Sequence, residues 1–216
     1  SMPLSGLMML LGMLINAFYG GCGVGLLNYY IYIIIAVFIS GLMVGRTPEF
    51  LGHKIEAREV KIAALVTLLS AFIIKGGTAL AAYYFVHHPD IGWAVKPANW
   101  LNNPGYHGFS EMLYQFTSSN ANNGSGFEGL ADNNPFWNIT AGLAMILGRY
   151  LPIIGPVAIA GLLANKKYIP ESAGTLKADS MTFGIMTFAV IVIITALSYF
   201  PPLVLGPIAE YLGMPH

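Results

Sequence analysis

The fold of this chain is decided by residues 109–127, FSEMLYQFTSSNANNGSGF, which lie between two long hydrophobic segments. Residues 109–116 favour a helix, but one that is too short and too polar to cross a bilayer, since a span needs about 20 apolar residues. The polar run 117–126 follows it directly. Irregular backbone at membrane depth is tolerated only where it faces protein or a water-filled cavity. The pattern therefore predicts a re-entrant helix and loop that dip into the membrane between two spans.

The rest of the chain is strongly apolar. Hydrophobic residues make up 56% of the 216 residues and charged residues only 9%, with a mean hydropathy of +0.64, whereas a soluble domain carries about 25% charged residues. Such a chain cannot cover itself with a solvated surface. We therefore expect an all-α membrane protein with four membrane-spanning segments in a lipid bilayer. The formal net charge of +0 gives no reason to expect nucleic acid as a partner.

Hydrophobic runs and polar loops divide the chain into five segments. In order, they are a broken helix (1–45), a polar loop (46–61), a pair of spans that enclose the re-entrant helix and loop (62–165), a second polar loop (166–180), and a final span with its tail (181–216). The first helix is broken by GGCGVG, the glycine-rich loop (residues 20–25), because four glycines in six residues disfavour a helix.

Proline is expected to interrupt the last two spans. Pro152 and Pro156 should kink or end the third span locally, because proline lacks the amide N–H that a helix interior requires. For the same reason, the pair Pro201–Pro202 should break the fourth span before the C-terminus.

Lysine and arginine are concentrated in the two polar loops. The loop 46–61 contains four of them and the loop 166–180 three, whereas the connection between the second and third spans contains only Lys96, and the tail none. Short loops rich in Lys and Arg stay in the cytoplasm. We therefore expect both loops to be cytoplasmic, both termini of this segment to lie outside, and the re-entrant segment to enter from the outer face.

Asn122, Asn123, Gly124 and Ser125 form the candidate filter loop (residues 122–125), whose residue types suit an ion-coordinating turn. Potassium sheds its hydration shell where rings of backbone carbonyl oxygens replace the waters. Gly and Asn tolerate positive φ, so their carbonyls can turn toward an ion. The C-terminal end of the preceding helix also favours a cation. Surface loops use the same residue types, but the re-entrant context favours a filter.

A family resemblance rests on six segments that together cover nearly the whole chain. They are GRTPEFLG (45–52), GFSE (108–111), NNGSGF (122–127), GR (148–149), SAGTL (172–176) and LGPI (205–208). With them, the chain resembles the potassium-translocating A subunits of bacterial Kdp ATPase complexes, which belong to the superfamily of potassium transporters.

The resemblance implies a pore of four helix, pore-helix, helix repeats in one longer polypeptide, of which this chain corresponds to the C-terminal portion. The candidate filter loop would be the fourth filter segment, with potassium held through Asn122, Asn123 and Gly124, and residues 1–45 would end the third repeat. One quarter of a filter cannot coordinate an ion alone, so the remaining pore repeats, which supply the other three quarters, must come from a longer polypeptide, from a partner chain or from further copies of this chain.

The resemblance also implies partners and a location. The family works with a P-type ATPase catalytic subunit and small accessory membrane subunits in the bacterial inner (plasma) membrane. This sequence has no Gly-x-x-x-x-Gly-Lys phosphate loop. ATP hydrolysis is therefore expected in the catalytic subunit, and this chain is expected to be a non-catalytic subunit that binds no ATP.

The glycine-rich loop matches a loop that, in the family, breaks the last helix of the third repeat below the filter. The resemblance makes Gly20, Gly21, Gly23 and Gly25 candidates for a gate. Close helix packing through small residues is the alternative interpretation.

Two charged residues lie in the middle of predicted spans. Arg149 matches an arginine of the family, and a charge at that depth should face the protein interior. It would set the electrostatics of the pore or hold the glycine-rich loop; a purely structural bond to backbone carbonyls is the alternative. Lys75 has no counterpart in the family and is expected to pair with a partner's acidic residue or to reach a cavity.

Three functions remain open from the sequence. The first is part of a potassium-selective pathway in an ATP-driven potassium uptake complex. The second is a non-conducting structural or assembly module, because only one quarter of a filter is present. The third is a secondary ion transporter built around a broken helix.

Overall fold

A computed structural model of the protein describes residues 3–45, 47–103, 105–170 and 180–214. The α-helices of the described part are α1 (Pro3–Tyr19), α2 (Gly25–Val44), α3 (Ala57–His87), α4 (Tyr106–Asn120), α5 (Pro135–Ala164), α6 (Met181–Leu203) and α7 (Ala209–Leu212). A π-helix, Val204–Ile208, joins α6 to α7, and two short strands are β1 (Glu49–Phe50) and β2 (His53–Lys54). Arg46, Lys177 and the SAGTL segment at 172–176 lie outside the described residues.

Four helical stretches of the described part are long and apolar enough to cross a membrane. They are Gly25–Met43, Ala57–His87, Pro135–Ala164 and Met181–Leu212. This confirms the expected number of spans, but the first is α2 alone rather than the whole broken helix. The preceding helix α1 is separate and has 17 residues, or about 26 Å at 1.5 Å per residue, which is less than the bilayer core of about 30 Å.

The break between α1 and α2 occurs at the glycine-rich loop. Positive φ angles occur at Gly20 (89°), Gly21 (70°) and Gly23 (91°). Side chains of α2 reach back to the end of α1: the Asn28 amide donates to the Tyr19 carbonyl at 3.0 Å, and the Tyr32 hydroxyl donates to the Phe18 carbonyl at 2.8 Å. These bonds satisfy carbonyls that the last turn of a helix leaves free.

The prolines do not end the helices in which they lie. α5 continues through Pro152 and Pro156, and α6 continues through Pro201 and Pro202. The chain then stays helical as the π-helix, which contains Pro207. Within a membrane bundle, packing against neighbouring helices and local π-turns compensate for the lost amide donors. The expected break at Pro201–Pro202 is therefore wrong, because tertiary packing outweighs the local cost of proline.

The polar segment 46–61 contains regular structure. β1 and β2 pair as an antiparallel hairpin whose turn residues, Leu51 (φ 51°) and Gly52 (φ 75°), both have positive φ, as two-residue hairpin turns of type I′ require. The helix α3 already begins at Ala57, inside this segment. Its start is a capping box in which the Glu56 N–H donates to the Glu59 carboxylate at 2.7 Å.

The short helix α4 lies at the centre of one half of the bundle. All but three of its fifteen residues are buried, and it packs against α1, α3, α5 and the π-helix. One apolar cluster joins α4 to α1 and α6 through Leu113 and Tyr114, and another joins it to α3 and α5 through Met112 and Phe116. A third cluster, from α2, α3, α5 and α6, fills the other half of the bundle. α4 is therefore an internal helix that carries a loop at its C-terminal end.

A candidate ion-pathway site at the end of helix α4

Helix α4 ends in a Schellman arrangement that positions the first residue of the candidate filter loop. The Asn123 N–H donates to the Ser118 carbonyl and the Asn122 N–H to the Ser119 carbonyl, each at 3.0 Å. This pairing requires a left-handed residue after the helix, and Asn122 adopts it with φ 58°. Asn is one of the few non-glycine residues that tolerate this conformation.

The side chains of Asn122 and Asn123 connect the loop to its neighbours. The Asn122 amide donates to the Asn120 carbonyl at 3.3 Å and to the Met145 carbonyl of α5 at 3.2 Å. The Asn123 amide donates to the Met13 sulfur of α1 at 3.0 Å. The start of the candidate filter loop is thus attached to two helices besides α4.

Ser125 holds the other end of the loop against α4. Its hydroxyl lies 3.2 Å from the Tyr114 hydroxyl and 3.0 Å from the Ser118 hydroxyl. Between the two attached ends, Gly124 has φ 73° and no atom would lie within 4 Å of an added Cβ. Residues 123–126 are exposed. The loop therefore presents an open edge of backbone supported from behind by α4.

A buried polar cluster follows the open edge. Phe127 returns the chain to the interior, and its ring lies tilted against the Tyr114 ring, with 5.2 Å between the ring centroids. Beside it, the fully buried Glu111 accepts a hydrogen bond from the Asn103 amide at 3.2 Å and lies 3.9 Å from His107. Burial raises the pKa of the Glu111 carboxyl above its ordinary value, against the opposing effects of Asn103 and His107. These supporting contacts are not predictable from the residue pattern of the loop.

The glycine-rich loop approaches the end of α4 closely. A Cβ added at Gly21 would lie 2.0 Å from the Ala121 carbonyl oxygen, and one added at Gly23 would lie 2.9 Å from the Arg149 guanidinium. Gly25, by contrast, begins α2 and would place a Cβ no nearer than 3.9 Å to another atom. Gly20 has φ 89°, and a Cβ added there would lie 2.6 Å from Asn28 Nδ2. The conformation therefore requires glycine at 20, 21 and 23 but not at 25.

Arg149 on α5 joins the same region. Its side chain is half-buried, and Nη1 donates a hydrogen bond to the Cys22 carbonyl of the glycine-rich loop. One turn earlier on α5, the Met145 carbonyl accepts from Asn122. The candidate filter loop, the glycine-rich loop and Arg149, which are far apart in the sequence, therefore meet around one face of α5.

A polar connection beneath the candidate filter loop is not predictable from the sequence. The Asn120 amide donates to the Ser70 hydroxyl at 2.6 Å, and that hydroxyl contacts the Tyr199 hydroxyl at 3.0 Å and the Ala17 carbonyl at 3.3 Å. It joins α4 to α3, α6 and α1. Single Ser, Asn and Tyr residues on three helices, together with a backbone carbonyl on a fourth, carry no common sequence signal.

Lys75 is not part of this region. It is exposed on α3 and has no hydrogen bond or ion pair to any of the described residues. It lines a cavity of about 200 Å³ together with Thr78, Phe109 and Pro202.

Comparisons with known proteins agree with this architecture. Residues 1–212 match the family described as "Potassium-transporting ATPase A subunit". The chain is 71% identical over 213 residues to the potassium-transporting ATPase potassium-binding subunit of Flavobacterium johnsoniae, an alignment that covers 98% of this chain and 37% of that protein. It is 50% identical over 210 residues to the subunit of that name from Geobacillus kaustophilus, covering 97% of this chain and 36% of the relative.

The chain thus spans little more than a third of the length of these relatives. The family match extends over nearly all of the chain's own length. The four long apolar helices of the chain fit a multi-pass membrane protein. The chain belongs to the family of potassium-transporting ATPase A subunits.

Proposed function

We propose that this chain forms part of a potassium-selective pathway in an ATP-driven uptake complex, with the candidate filter loop as one filter segment. The observation that carries the proposal is the open backbone edge at residues 123–126, held at both ends and supported by the buried helix α4. Backbone carbonyls in such an edge replace the hydration shell of potassium. The names of the relatives describe potassium-binding subunits.

The chain would supply one quarter of the coordinating ring. By its family resemblance, the loop is the fourth filter segment, and the three other segments belong to pore repeats outside these residues. The open edge would face those repeats across the pathway. The length of the relatives, of which this chain spans 37%, leaves room for them.

The glycine-rich loop is proposed as a constriction below the filter. It touches the last turn of α4 through Gly21, which brings it under the candidate filter loop. The Arg149 bond to the Cys22 carbonyl would hold it there, and the guanidinium would also place a fixed positive charge beside the pathway. Both effects would slow cations that have passed the filter.

We also propose the orientation, with the basic loops in the cytoplasm of a bacterium and both ends of this segment outside. Contacts between the two loops support a shared side of the bundle. The Lys166 amine lies 2.9 Å from the Glu59 carboxylate and donates to the Lys54 carbonyl at 2.9 Å. A P-type ATPase catalytic subunit and small accessory membrane subunits would be the partners.

The proposal is tested by Gly124→Ala in the full-length transporter. Alanine at φ 73° costs about 1–2 kcal/mol of backbone strain, so we expect selectivity for potassium over sodium uptake to fall by about 5- to 30-fold. Gly126→Ala is the matched control, because Gly126 does not have positive φ and an added Cβ would make only contacts of 3.8 Å. Unchanged selectivity in Gly124→Ala would refute the assignment of the filter.

The alternative functions are separated by the Gly124→Ala measurement and by reconstitution. A non-conducting assembly module within the full-length transporter predicts unchanged selectivity in Gly124→Ala, and a secondary transporter predicts flux without an ATPase partner. Under the proposed function, the purified 216-residue chain alone conducts nothing, whereas the full-length transporter with its catalytic subunit takes up potassium in an ATP-dependent manner.

A further inference from the structure

A small cavity with several polar side chains in its lining lies between the glycine-rich loop and the last turn of α4. It offers about 10 Å³ to the centre of a water molecule, and its lining includes Asn28 of α2, Thr67 of α3, Asn120 of α4 and Gly148 of α5. Four helices of the bundle, α2, α3, α4 and α5, therefore meet around a space of the size that one water molecule needs.

Three side-chain oxygens on this cavity have no hydrogen-bond partner in the described part of the protein. They are Asn28 Oδ1, Thr67 Oγ1 and Asn120 Oδ1, all of them buried atoms. Asn28 and Asn120 are 7% and 1% exposed, so bulk water does not reach them. A buried polar group without a partner is costly, and three on one small cavity indicate a common ligand.

The hydrogen bonds of the two amide nitrogens fix the orientation of both asparagine side chains. Asn28 Nδ2 donates to the Tyr19 carbonyl at 3.0 Å, and Asn120 Nδ2 donates to the Ser70 hydroxyl at 2.6 Å. Because both amide nitrogens already donate hydrogen bonds, the amide oxygens are the atoms available to a ligand in the cavity. A fourth acceptor is the Gly148 carbonyl, which loses its usual helical donor because Pro152 has no N–H.

We propose that this cavity binds one structural water molecule. The water donates its two hydrogens to Asn28 Oδ1 and Asn120 Oδ1 and accepts the Thr67 hydroxyl proton as a hydrogen bond, which gives the three bonds that buried waters usually make. It thereby connects the start of α2, beside the glycine-rich loop, to the last turn of α4. This inference does not depend on the proposed transport function.

A first test is Thr67→Val in the full-length transporter, with thermal unfolding as the readout. If water is bound, valine removes the hydroxyl that donates to the water and weakens the water's bonds to the two amide oxygens. The unfolding midpoint then falls by about 1–2 °C. If no water is bound, valine replaces an unpartnered hydroxyl with a methyl group of similar shape, and the midpoint rises. A rise would overturn the proposal.

The matched control is Thr78→Val on the same helix. The Thr78 side chain is buried, but its hydroxyl donates to the Ile74 carbonyl at 2.7 Å and does not line this cavity. We expect a smaller midpoint change in this variant than in Thr67→Val. Equal falls in both would overturn the proposal, because they would reflect the loss of a buried threonine rather than of a water.

A second test is a high-resolution density map of the unsubstituted transporter. The proposal requires a peak at about 2.7–3.2 Å from all three oxygens, at a resolution that reveals other internal waters. No peak would overturn it. A peak that gains an anomalous signal when potassium is replaced by rubidium would also overturn it, because the ligand would then be a cation.

Discussion

Gly21→Ala tests the contact between the glycine-rich loop and α4. The backbone at Gly21 has φ 70°, and an added Cβ would lie 2.0 Å from the Ala121 carbonyl oxygen. Left-handed backbone costs a non-glycine residue about 1–2 kcal/mol, and displacing a packed backbone costs about 1–3 kcal/mol more. The free energy of unfolding should therefore fall by about 2–5 kcal/mol, and the unfolding midpoint of the full-length protein should fall with it.

Gly25→Ala is the same substitution at a position where we expect the opposite effect on the unfolding midpoint. Gly25 is the first residue of α2, and its added Cβ would be 3.9 Å from the Tyr19 carbonyl oxygen. Alanine in a helix is favoured over glycine by up to about 1 kcal/mol, so the midpoint should stay unchanged or rise. Thermal unfolding of the full-length protein, followed by tryptophan fluorescence, measures both. Equal shifts in the two variants would refute the geometry of the loop.

Two further changes test the mid-span charges. Arg149→Met removes the donor to the Cys22 carbonyl. A nitroxide spin label on Cys22, in a protein without other cysteines, should therefore be more mobile in Arg149→Met than in Arg149→Lys. Equal mobility in the two variants would show that Arg149 does not hold the glycine-rich loop. Lys75→Leu removes a cation from the middle of α3, so insertion of this helix into membranes should become more favourable by about 3 kcal/mol. Lys61→Leu, in the first turns of α3, should change insertion much less, and equal effects would contradict the assigned depth.

The spans were predictable because a bilayer imposes a length and a polarity on each helix. The bounds of α5 are visible in the sequence, since Pro135 is a favourable first residue of a helix and Lys166 and Lys167 end the apolar run. The break at Pro201–Pro202 was wrongly predicted for a complementary reason. Proline acts locally, whereas the packing of α6 and the adjoining π-turn that tolerates it is a property of the assembled bundle.

The candidate site, too, is predictable from the sequence only in part. The positive φ angles of Asn122 and Gly124 agree with the residue types that suggested a turn, but the bonds from Ser125 to Tyr114 and Ser118 were not foreseen. Likewise, Arg149 was expected to face the protein interior, and only the structure identifies the Cys22 carbonyl as its acceptor. Which two side chains meet depends on how the helices pack, and the preferences of single residues do not contain that information.

By itself, the sequence determined the membrane class, the four spans, and the presence of a short polar segment between two of them. Apolar runs and glycine-rich or amide-rich breaks act within one stretch of chain, so they are visible without the fold. The tertiary structure decided that residues 109–127 form a buried helix with an open loop edge, and that this loop meets the glycine-rich loop and Arg149. Those contacts join residues more than a hundred positions apart, and they exist only once the helices have packed.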